Sequence, residues 1–252
     1  NSHLLPILQF VAQRALEIAE YGLKLDEGDY LLDPNPSTFQ QWVADYHEML
    51  RRDPTNTFLS FDIETPMKRG KSEDDVALED GDDYSILRCS FAYRPGQAVS
   101  VPWRPEYFPN MEELFDSSGA KVGWNSEAYD LPRVSQHFQV NGDRHDSMLC
   151  WHMLNSALDK GLGFVTPFYA KNVGMWKHLA DAQPAYYNAR DADMALRNFI
   201  GIKADLMRNG QWAVYERHIV KINEVFTYMS RQGVLRDNEM RQQAEDKLSK
   251  ML

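Results

Sequence analysis

Cysteine and long apolar runs are both scarce in this chain of 252 residues. Its two cysteines, Cys89 and Cys150, are too few and too far apart to form a disulfide framework or a zinc site. No apolar run approaches the roughly 20 residues that a helix needs to span a bilayer, so no membrane partner is expected. We therefore expect both thiols in the core of a protein from a reducing, intracellular setting.

Positive charge is scarce as well. The 27 lysines and arginines face 37 aspartates and glutamates, which gives a net charge of −10. A protein that coats duplex nucleic acid neutralises phosphates with lysine and arginine, so this balance argues against such a role. It permits an enzyme that holds a few nucleotides through metal ions. Part of the acidic excess lies at 73–83, directly after a basic cluster at 68–71, and this pattern predicts a solvated loop between two strands.

The order of the predicted elements indicates the fold class. Strand-like runs at 57–64, 84–93 and 97–103 form a meander, and helices alternate with short strands after it. This order predicts an α/β domain on a mixed central sheet. Apolar residues at helical spacing predict further helices before and after that domain. The chain is therefore divided into an N-terminal helical segment (1–55), a central domain (56–210) and a helical tail (211–252).

Two carboxylates, Asp62 and Glu64, are two positions apart in the first predicted strand. Because side chains alternate along a strand, both point off one face, while Phe61 and Ile63 point off the other. Carboxylates held side by side repel each other and are costly to desolvate. A fold tolerates this most readily when a divalent cation lies between them, so the pair predicts a metal site. The alternative is a solvated strand face with no metal.

Two further patterns, Asn-Ser-Glu-Ala-Tyr-Asp and Tyr-Asn-Ala-Arg-Asp, each end in an aspartate, Asp130 and Asp191. Oxygen ligands without histidine or cysteine select Mg²⁺ or Mn²⁺. We predict two such ions. Asp62 bridges them and shares the first ion with Glu64 and Asp191, and Asp130 holds the second. Two ions about 3.5–4 Å apart can generate hydroxide beside a phosphodiester and neutralise the leaving oxygen.

Three polar residues complete the predicted site. Tyr187 is four positions before Asp191, so both share one face of a helix, and the phenol can hydrogen-bond the attacking water. Asn125 follows a short strand, at the carboxyl edge of the sheet where α/β sites open, and its amide can orient Asp130 or a phosphate. Thr65 directly follows the first strand and is predicted, with Asn125, to bind substrate.

Several neighbouring residues have more than one interpretation. Asp130 can be a helix cap alone, and Glu127 can substitute for it as a ligand. Asp146 is interpreted as a cap rather than a ligand. Asp193, two positions after the third-pattern aspartate on the same helix, is turned away from it and is predicted to face solvent. A Trp-Lys-His cluster at 176–178 either contacts a base or phosphate of the substrate or is an ordinary mixture of surface and core.

The three patterns resemble the exonuclease motifs of the DEDD superfamily. Asp62 and Glu64 match the first motif, Asp130 the second, and Tyr187 with Asp191 the third, in the form that is similar to the subgroup with a tyrosine. Across residues 56–208 the chain looks closest to the 3′–5′ proofreading domain of family A DNA polymerases of bacterial and phage type. The tail is similar to the helix that leads such polymerases into the thumb, with Tyr-Glu-Arg and later Arg-Gln-Gly-Val.

The resemblance implies an RNase H-like five-stranded sheet, a single-stranded DNA 3′ end held over two ions, and release of nucleoside 5′-monophosphates. It also implies a polymerase domain in the same full-length chain and a place in the cytoplasm of a bacterium or phage-infected host. Residues 1–50 do not match the family pattern. Two rival hypotheses stay open. Tyrosine-type members of the superfamily that trim RNA carry the same ligands, and a binding module can keep the fold after losing the reaction.

Overall fold

A mixed six-stranded sheet forms the centre of the fold in the computed structural model, which describes residues 5–66, 85–233, 235 and 237–250. The predicted acidic loop lies outside the described residues. The strands are β1 (Asp29–Leu32), β2 (Phe58–Glu64), β3 (Arg88–Arg94), β4 (Gln97–Pro102), β5 (Ala120–Gly123) and β6 (Arg144–Asp146). Their order across the sheet is β1-β4-β3-β2-β5-β6.

Strand direction divides the sheet into two parts. Strands β2, β3 and β4 form an antiparallel meander, and β5 and β6 add in parallel on the other side of β2. The predicted mixed α/β sheet is confirmed. Strand β1, parallel to β4, is a sixth strand beyond the five that the resemblance implies. Most of its four residues are exposed, so it lacks the apolar alternation by which a strand is predicted.

Helices flank the sheet and extend beyond it. None of the described helices is long and apolar enough to cross a bilayer. A π-helical turn, Tyr215–Ile219, joins the two helices on either side of it. The helices are α1 (Leu5–Tyr21), α2 (Pro36–Arg52), α3 (Phe108–Asp116), α4 (Asp130–Val134), α5 (Ser147–Leu154), α6 (Leu162–Tyr169), α7 (Pro184–Arg208), α8 (Trp212–Val214), α9 (Val220–Gln232) and α10 (Asn238–Ser249).

Alternate residues of β2 contribute to two different cores. Phe61 and Ile63 pack with residues of α2 and α3 on one face. Phe58 packs on the other face against Phe199 of α7, with ring centres 5.0 Å apart. Because side chains alternate, Asp62 and Glu64 share the face of Phe58. The strand therefore directs both carboxylates toward α7.

Helix α7 lies against β2, β3 and β4. Its fully buried Ala189 and Ala192 belong to the core on that face, and such small side chains let a helix axis come close to its neighbours. Asp191, between these two alanines in the sequence, is thereby brought to β2. Close packing of α7 on the sheet thus joins the third sequence pattern to the first.

Asp193 is fully buried, so the prediction that it faces solvent is wrong. Its carboxylate accepts hydrogen bonds from the hydroxyl of Tyr30 (2.7 Å), the amide of Gly96 (2.8 Å) and the guanidinium of Arg197 (2.9 Å). Tyr30 belongs to β1, the strand that the sequence analysis did not predict, and it covers this side of α7. Two elements from the N-terminal part of the chain thus pack onto the central domain: β1 pairs with the sheet, and α2 packs into its core. The domain boundary at residue 55 stays a prediction.

Lys121 is a buried cation in β5. Its ammonium donates to the carbonyls of Ser117 (2.7 Å), Gly119 (2.8 Å) and Asn141 (2.8 Å), and burial lowers its pKa to about 8. Lys121→Met is expected to destabilise the fold by about 2–4 kcal/mol because it leaves three carbonyls without their donor. Urea unfolding measures the change, with Lys247→Met on exposed α10 as the control. Equal unfolding free energies for the two variants would contradict this expectation.

Candidate active site

Three carboxylates from β2 and α7 meet at the sheet. Asp62, Glu64 and Asp191 each place one carboxylate oxygen within 4.8 Å of the others. Asp62 and Glu64 are partly buried and Asp191 is 4% exposed. All three are hard oxygen donors of the kind that Mg²⁺ and Mn²⁺ select. We call these residues the carboxylate set; their role as ligands remains a prediction.

Asp130 lies beside the carboxylate set without belonging to it. It is the first residue of α4, is 4% exposed, and its Oδ1 accepts a hydrogen bond from the amide of Ile63 at 3.0 Å. That bond ties α4 to β2 on the strand that carries Asp62 and Glu64. The N-cap position is taken by Tyr129, which makes no side-chain cap bond. Asp130 is therefore not the N-cap residue of α4.

The carboxylates are costly to ionise together in the absence of a cation. Burial raises the pKa of Asp62 well above its usual value, and the charges of Asp191, Glu64 and Asp130 raise it further. Burial also raises the pKa of Asp130 to about 8, although the hydrogen bond from Ile63 opposes this shift. A divalent ion favours the ionised form of such groups and releases their protons on binding. The donor set and its electrostatics thus fit a divalent metal site.

The carboxylates line a cleft of about 550 Å³. Such a volume lies within the range of sites that hold small ligands. Asp62, Glu64, Asp130 and Asp191 form its acidic part, and apolar side chains including Trp124, Met148 and Leu162 form other parts of its wall. The cleft therefore offers apolar surface beside charged groups, which suits a ligand with a ring and a charged end.

Asn125 lies in this cleft at the carboxyl end of β5. Its backbone is left-handed, with φ of 60°, and the turn is tight because a side chain at Gly123 would meet Cβ of Ser126 at 2.3 Å. Asp146 supports the turn by accepting from the amide of Asn125 at 3.1 Å, while also capping α5 as predicted. Burial raises the pKa of Asp146 to about 6.

Thr65 is not among the described residues that line the cleft. It contacts Tyr129, which lines the cleft. The two hydroxyl oxygens are 2.6 Å apart. The guanidinium of Arg133 stacks over the ring of Tyr129 at 3.9 Å. The structure thus gives Thr65 and Arg133 a shared partner, Tyr129, which the sequence analysis did not single out although it belongs to the second pattern.

The 176–178 cluster reaches the carboxylate set through two of its residues. The ammonium of Lys177 donates to Oδ2 of Asp191 (2.7 Å) and to the hydroxyl of Tyr187 (3.0 Å). The indole N–H of Trp176 donates to Oδ1 of Asp191 (2.6 Å). Tyr187 is therefore placed beside Asp191, and both carboxylate oxygens of Asp191 have protein donors. The sequence analysis left this cluster with two interpretations.

Asn188 is a site residue that the sequence analysis missed. Its amide nitrogen donates to Oδ2 of Asp62 at 2.8 Å, and its amide oxygen accepts from the hydroxyl of Ser100 at 2.8 Å. Ser90 donates to its backbone carbonyl at 2.7 Å. Asn188 lies three positions before Asp191, which places both on one helix face, and that spacing was the available signal.

Comparison with known proteins supports the fold. No family model matches the chain, and no curated protein matches it in sequence. Among solved structures, the POL domain of Pol1 from M. smegmatis, in complex with a DNA primer-template and dNTP, matches 88% of this chain with a TM-score of 0.61 at 10% identity. This chain spans 35% of that polymerase chain.

Smaller proteins match as well. NrnC of Brucella melitensis bound to pGG matches 70% of this chain and 86% of its own length, with a TM-score of 0.54 at 17% identity. The same protein with bound Mg²⁺ matches with a TM-score of 0.52 at 16% identity, over the same shares of the two chains. A protein described as the apo form of the nuclease gives 0.57 at 13% identity, over 81% of this chain and 92% of its own. The chain therefore has the mixed α/β, RNase H-like fold of these structures.

Proposed function

We propose that this chain is a metal-dependent 3′–5′ exonuclease that hydrolyses single-stranded DNA from its 3′ end and releases nucleoside 5′-monophosphates. The observation that carries the proposal is the carboxylate set. Three acidic residues from two distant parts of the chain, with Asp130 beside them, share one cleft on an RNase H-like fold. Burial and mutual repulsion make this grouping unfavourable without a cation, and a phosphodiesterase that uses divalent ions needs it.

The ligand assignment follows from position. Asp62 belongs to the carboxylate set, and the amide of the next residue, Ile63, donates to Asp130. Asp62 would therefore be the ligand shared by two ions, with Glu64 and Asp191 holding the first and Asp130 holding the second. When bound, the ions supply Lewis acidity at a phosphate oxygen and at a water molecule. The protein contributes the carboxylates that line the cleft. Asn188 holds the carboxylate of Asp62 in place, and Trp176 holds that of Asp191.

Tyr187 is assigned to the attacking water, and its contribution can be measured. Tyr187→Phe is expected to lower kcat by about 10–100-fold, as loss of an orienting partner does, while ion affinity stays unchanged. Tyr186→Phe is the matched control because the Tyr186 hydroxyl donates to the carbonyl of Glu27 at 3.2 Å, away from the carboxylates. We expect this control to stay within about twofold of the wild type. Equal rates for both variants would remove Tyr187 from the mechanism.

The direction of degradation is tested with 5′-labelled single-stranded DNA. A 3′–5′ exonuclease shortens the label-bearing strand one nucleotide at a time, and it leaves circular single strands intact. Release of nucleoside 5′-monophosphates, detected by chromatography, identifies the bond that is cleaved. Cleavage of circles would contradict an exonuclease. Intact linear strands in both Mg²⁺ and Mn²⁺ would favour the rival hypothesis of a binding module without activity.

The substrate class has a second candidate. The similarity of the tail to polymerases, and the structural similarity to a domain solved with a DNA primer-template, support DNA. A similar fold bound to pGG, a two-nucleotide ligand, keeps RNA trimming open. Rates on DNA and RNA oligonucleotides of one sequence decide between them, and a preference of more than about tenfold for RNA would replace the DNA assignment. A polymerase domain in the same full-length chain is part of the proposal for DNA.

A further inference from the structure

A lysine ammonium lies among the groups that the proposed mechanism uses. Nζ of Lys177 is 2.7 Å from Oδ2 of Asp191, 3.0 Å from the hydroxyl of Tyr187, and 4.8 Å from the centre of the Tyr187 ring. Lys177 opens a short 3₁₀ turn, Lys177–Leu179, in the connection between α6 and α7. It therefore reaches the site from outside the three sequence patterns.

The positive charge of Lys177 lies beside carboxylates that repel one another. Unit charges about 4 Å apart interact by about 4 kcal/mol near a protein surface, so an ion-free carboxylate set needs compensation. Trp176 and Asn188 supply neutral donors, whereas Lys177 supplies a full positive charge. The ammonium of Lys177 forms an ion pair with the buried Asp191 carboxylate, with Nζ 2.7 Å from Oδ2. Lys177 is thus a cation paired to a carboxylate that the proposed function assigns to a metal ion.

We propose that Lys177 is the built-in counter-cation of the metal-free site, and that a divalent ion competes with its ammonium for Asp191. The proposal rests on the proposed function, because it takes Asp191 as a metal ligand. Trp176 is buried and holds Oδ1 of Asp191, so Lys177 and an incoming ion compete for Oδ2. Lys177 is therefore a positioning residue: it keeps Asp191 and Tyr187 in place while no ion is bound, and it weakens ion binding.

Calorimetric titration of Mn²⁺ into the protein without nucleic acid tests this competition. We expect Lys177→Met and Lys177→Gln to bind the first ion about tenfold or more tightly than the wild type, because the competing charge is gone. Lys177→Arg, which keeps the charge, is expected to stay within about threefold. Lys160→Met is the matched control: Lys160 lines the same cleft, but its ammonium donates to the carbonyls of Ser156 and Leu158 rather than to a carboxylate. Its ion affinity is expected to be unchanged.

The two neutral variants protect the test against misfolding. Lys177→Met leaves Asp191 without its cation, whereas the Lys177→Gln amide can still donate a hydrogen bond to Oδ2. Circular dichroism in chelator shows which variants are folded before titration. Ion affinity that is equal to or weaker than the wild type in the folded neutral variants would overturn the proposal. Unchanged ion affinity together with weaker oligonucleotide binding in chelator would overturn it too, and would identify Lys177 as a phosphate ligand.

Failure of the proposed function is distinguishable from failure of this inference. If the wild type binds Mn²⁺ but leaves DNA and RNA ends intact, the exonuclease proposal fails, and the comparison of ion affinities still decides the role of Lys177. If the wild type binds no divalent ion at all, both proposals are wrong. If cleavage is observed and the neutral variants bind ions like the wild type, only the role of Lys177 is refuted.

Discussion

Replacing Asp62 with alanine is expected to slow hydrolysis of a single-stranded 3′ end by more than about a thousandfold. Asp62 would be the ligand shared by two ions, so its loss would disrupt both ion positions. Loss of a residue that only supports a ligand costs about 10–100-fold, and a bridging ligand should exceed that. Asp191→Asn is expected to have a comparable effect through the first ion. Initial rates on a labelled oligonucleotide at saturating Mg²⁺ and Mn²⁺ measure both variants.

Asp159→Asn separates ion binding from the general acidity of the cleft. Asp159 lines the same cleft, but it lies outside the carboxylate set, and its Oδ1 accepts from the amide of Gly161 at 2.6 Å. Its replacement is expected to change the rate by less than about tenfold. Full activity in Asp62→Ala would refute the metal assignment. A loss in Asp159→Asn as large as that in Asp62→Ala would instead attribute the effect to the charge of the cleft.

The sequence was most informative where the candidate site depends on local spacing. Period two along β2 placed Asp62 and Glu64 on one face, and a spacing of four along α7 placed Tyr187 beside Asp191. Strand and helix periodicities are fixed by backbone geometry, so such relations can be predicted without knowledge of the tertiary fold. The mixed sheet was predicted from the order of the elements, in which a three-stranded meander is followed by alternating helices and strands.

Relations that depend on packing between elements could not be predicted in this way. Asn188 contacts Asp62 only because α7 lies against β2, and Lys177 reaches Asp191 only because the connection before α7 folds back onto that helix. Asp193 illustrates the reverse error. Helical spacing correctly turns it away from Asp191, but β1 covers the face to which it points, with Tyr30 as its donor. Four mostly exposed residues gave no signal for that strand.

The structure also changes the account of how crowded carboxylates are tolerated. Sequence reasoning assigned that role to a bound cation. The fold supplies additional compensation by hydrogen bonding. The Asn188 amide donates to Asp62, and the Trp176 indole and the Lys177 ammonium donate to Asp191. The two aspartates therefore differ. Asp191 has two protein donors including a cation. Burial and the neighbouring carboxylates raise the pKa of Asp62, and the charge of Lys177 opposes this shift only in part. Removing the negative charge from each should have opposite effects on stability.

In chelator, Asp62→Asn is expected to be more stable than the wild type and Asp191→Asn less stable. The asparagine at position 62 keeps an oxygen for the Asn188 donor and removes a repelled charge, which is worth about 1.4 kcal/mol for each pKa unit of repulsion. The asparagine at position 191 has one acceptor for two donors, so Trp176 or Lys177 loses its bond, at a cost of about 1–3 kcal/mol. Urea unfolding in chelator measures both variants. Repulsion alone would predict a gain for both.

The pH dependence of the Asp62→Asn gain gives a further check on its cause. A carboxyl whose pKa is raised in the native state stabilises the fold at low pH, and this contribution is lost as pH rises from the unfolded-state pKa of about 3.9 through the native value. Asp62 and Asp130 both behave in this way, the latter with a native pKa of about 8. Wild type and Asp62→Asn should therefore converge in stability near pH 4 and separate as pH rises toward 8.

Saturating Mg²⁺ should close the difference in stability between wild type and Asp62→Asn, because the ion would bind the deprotonated carboxylate of Asp62 and could not do so in the variant. A gain that is equal at pH 4 and pH 8 would mean that packing or hydrogen bonding, rather than the charge of Asp62, limits the stability of the metal-free site.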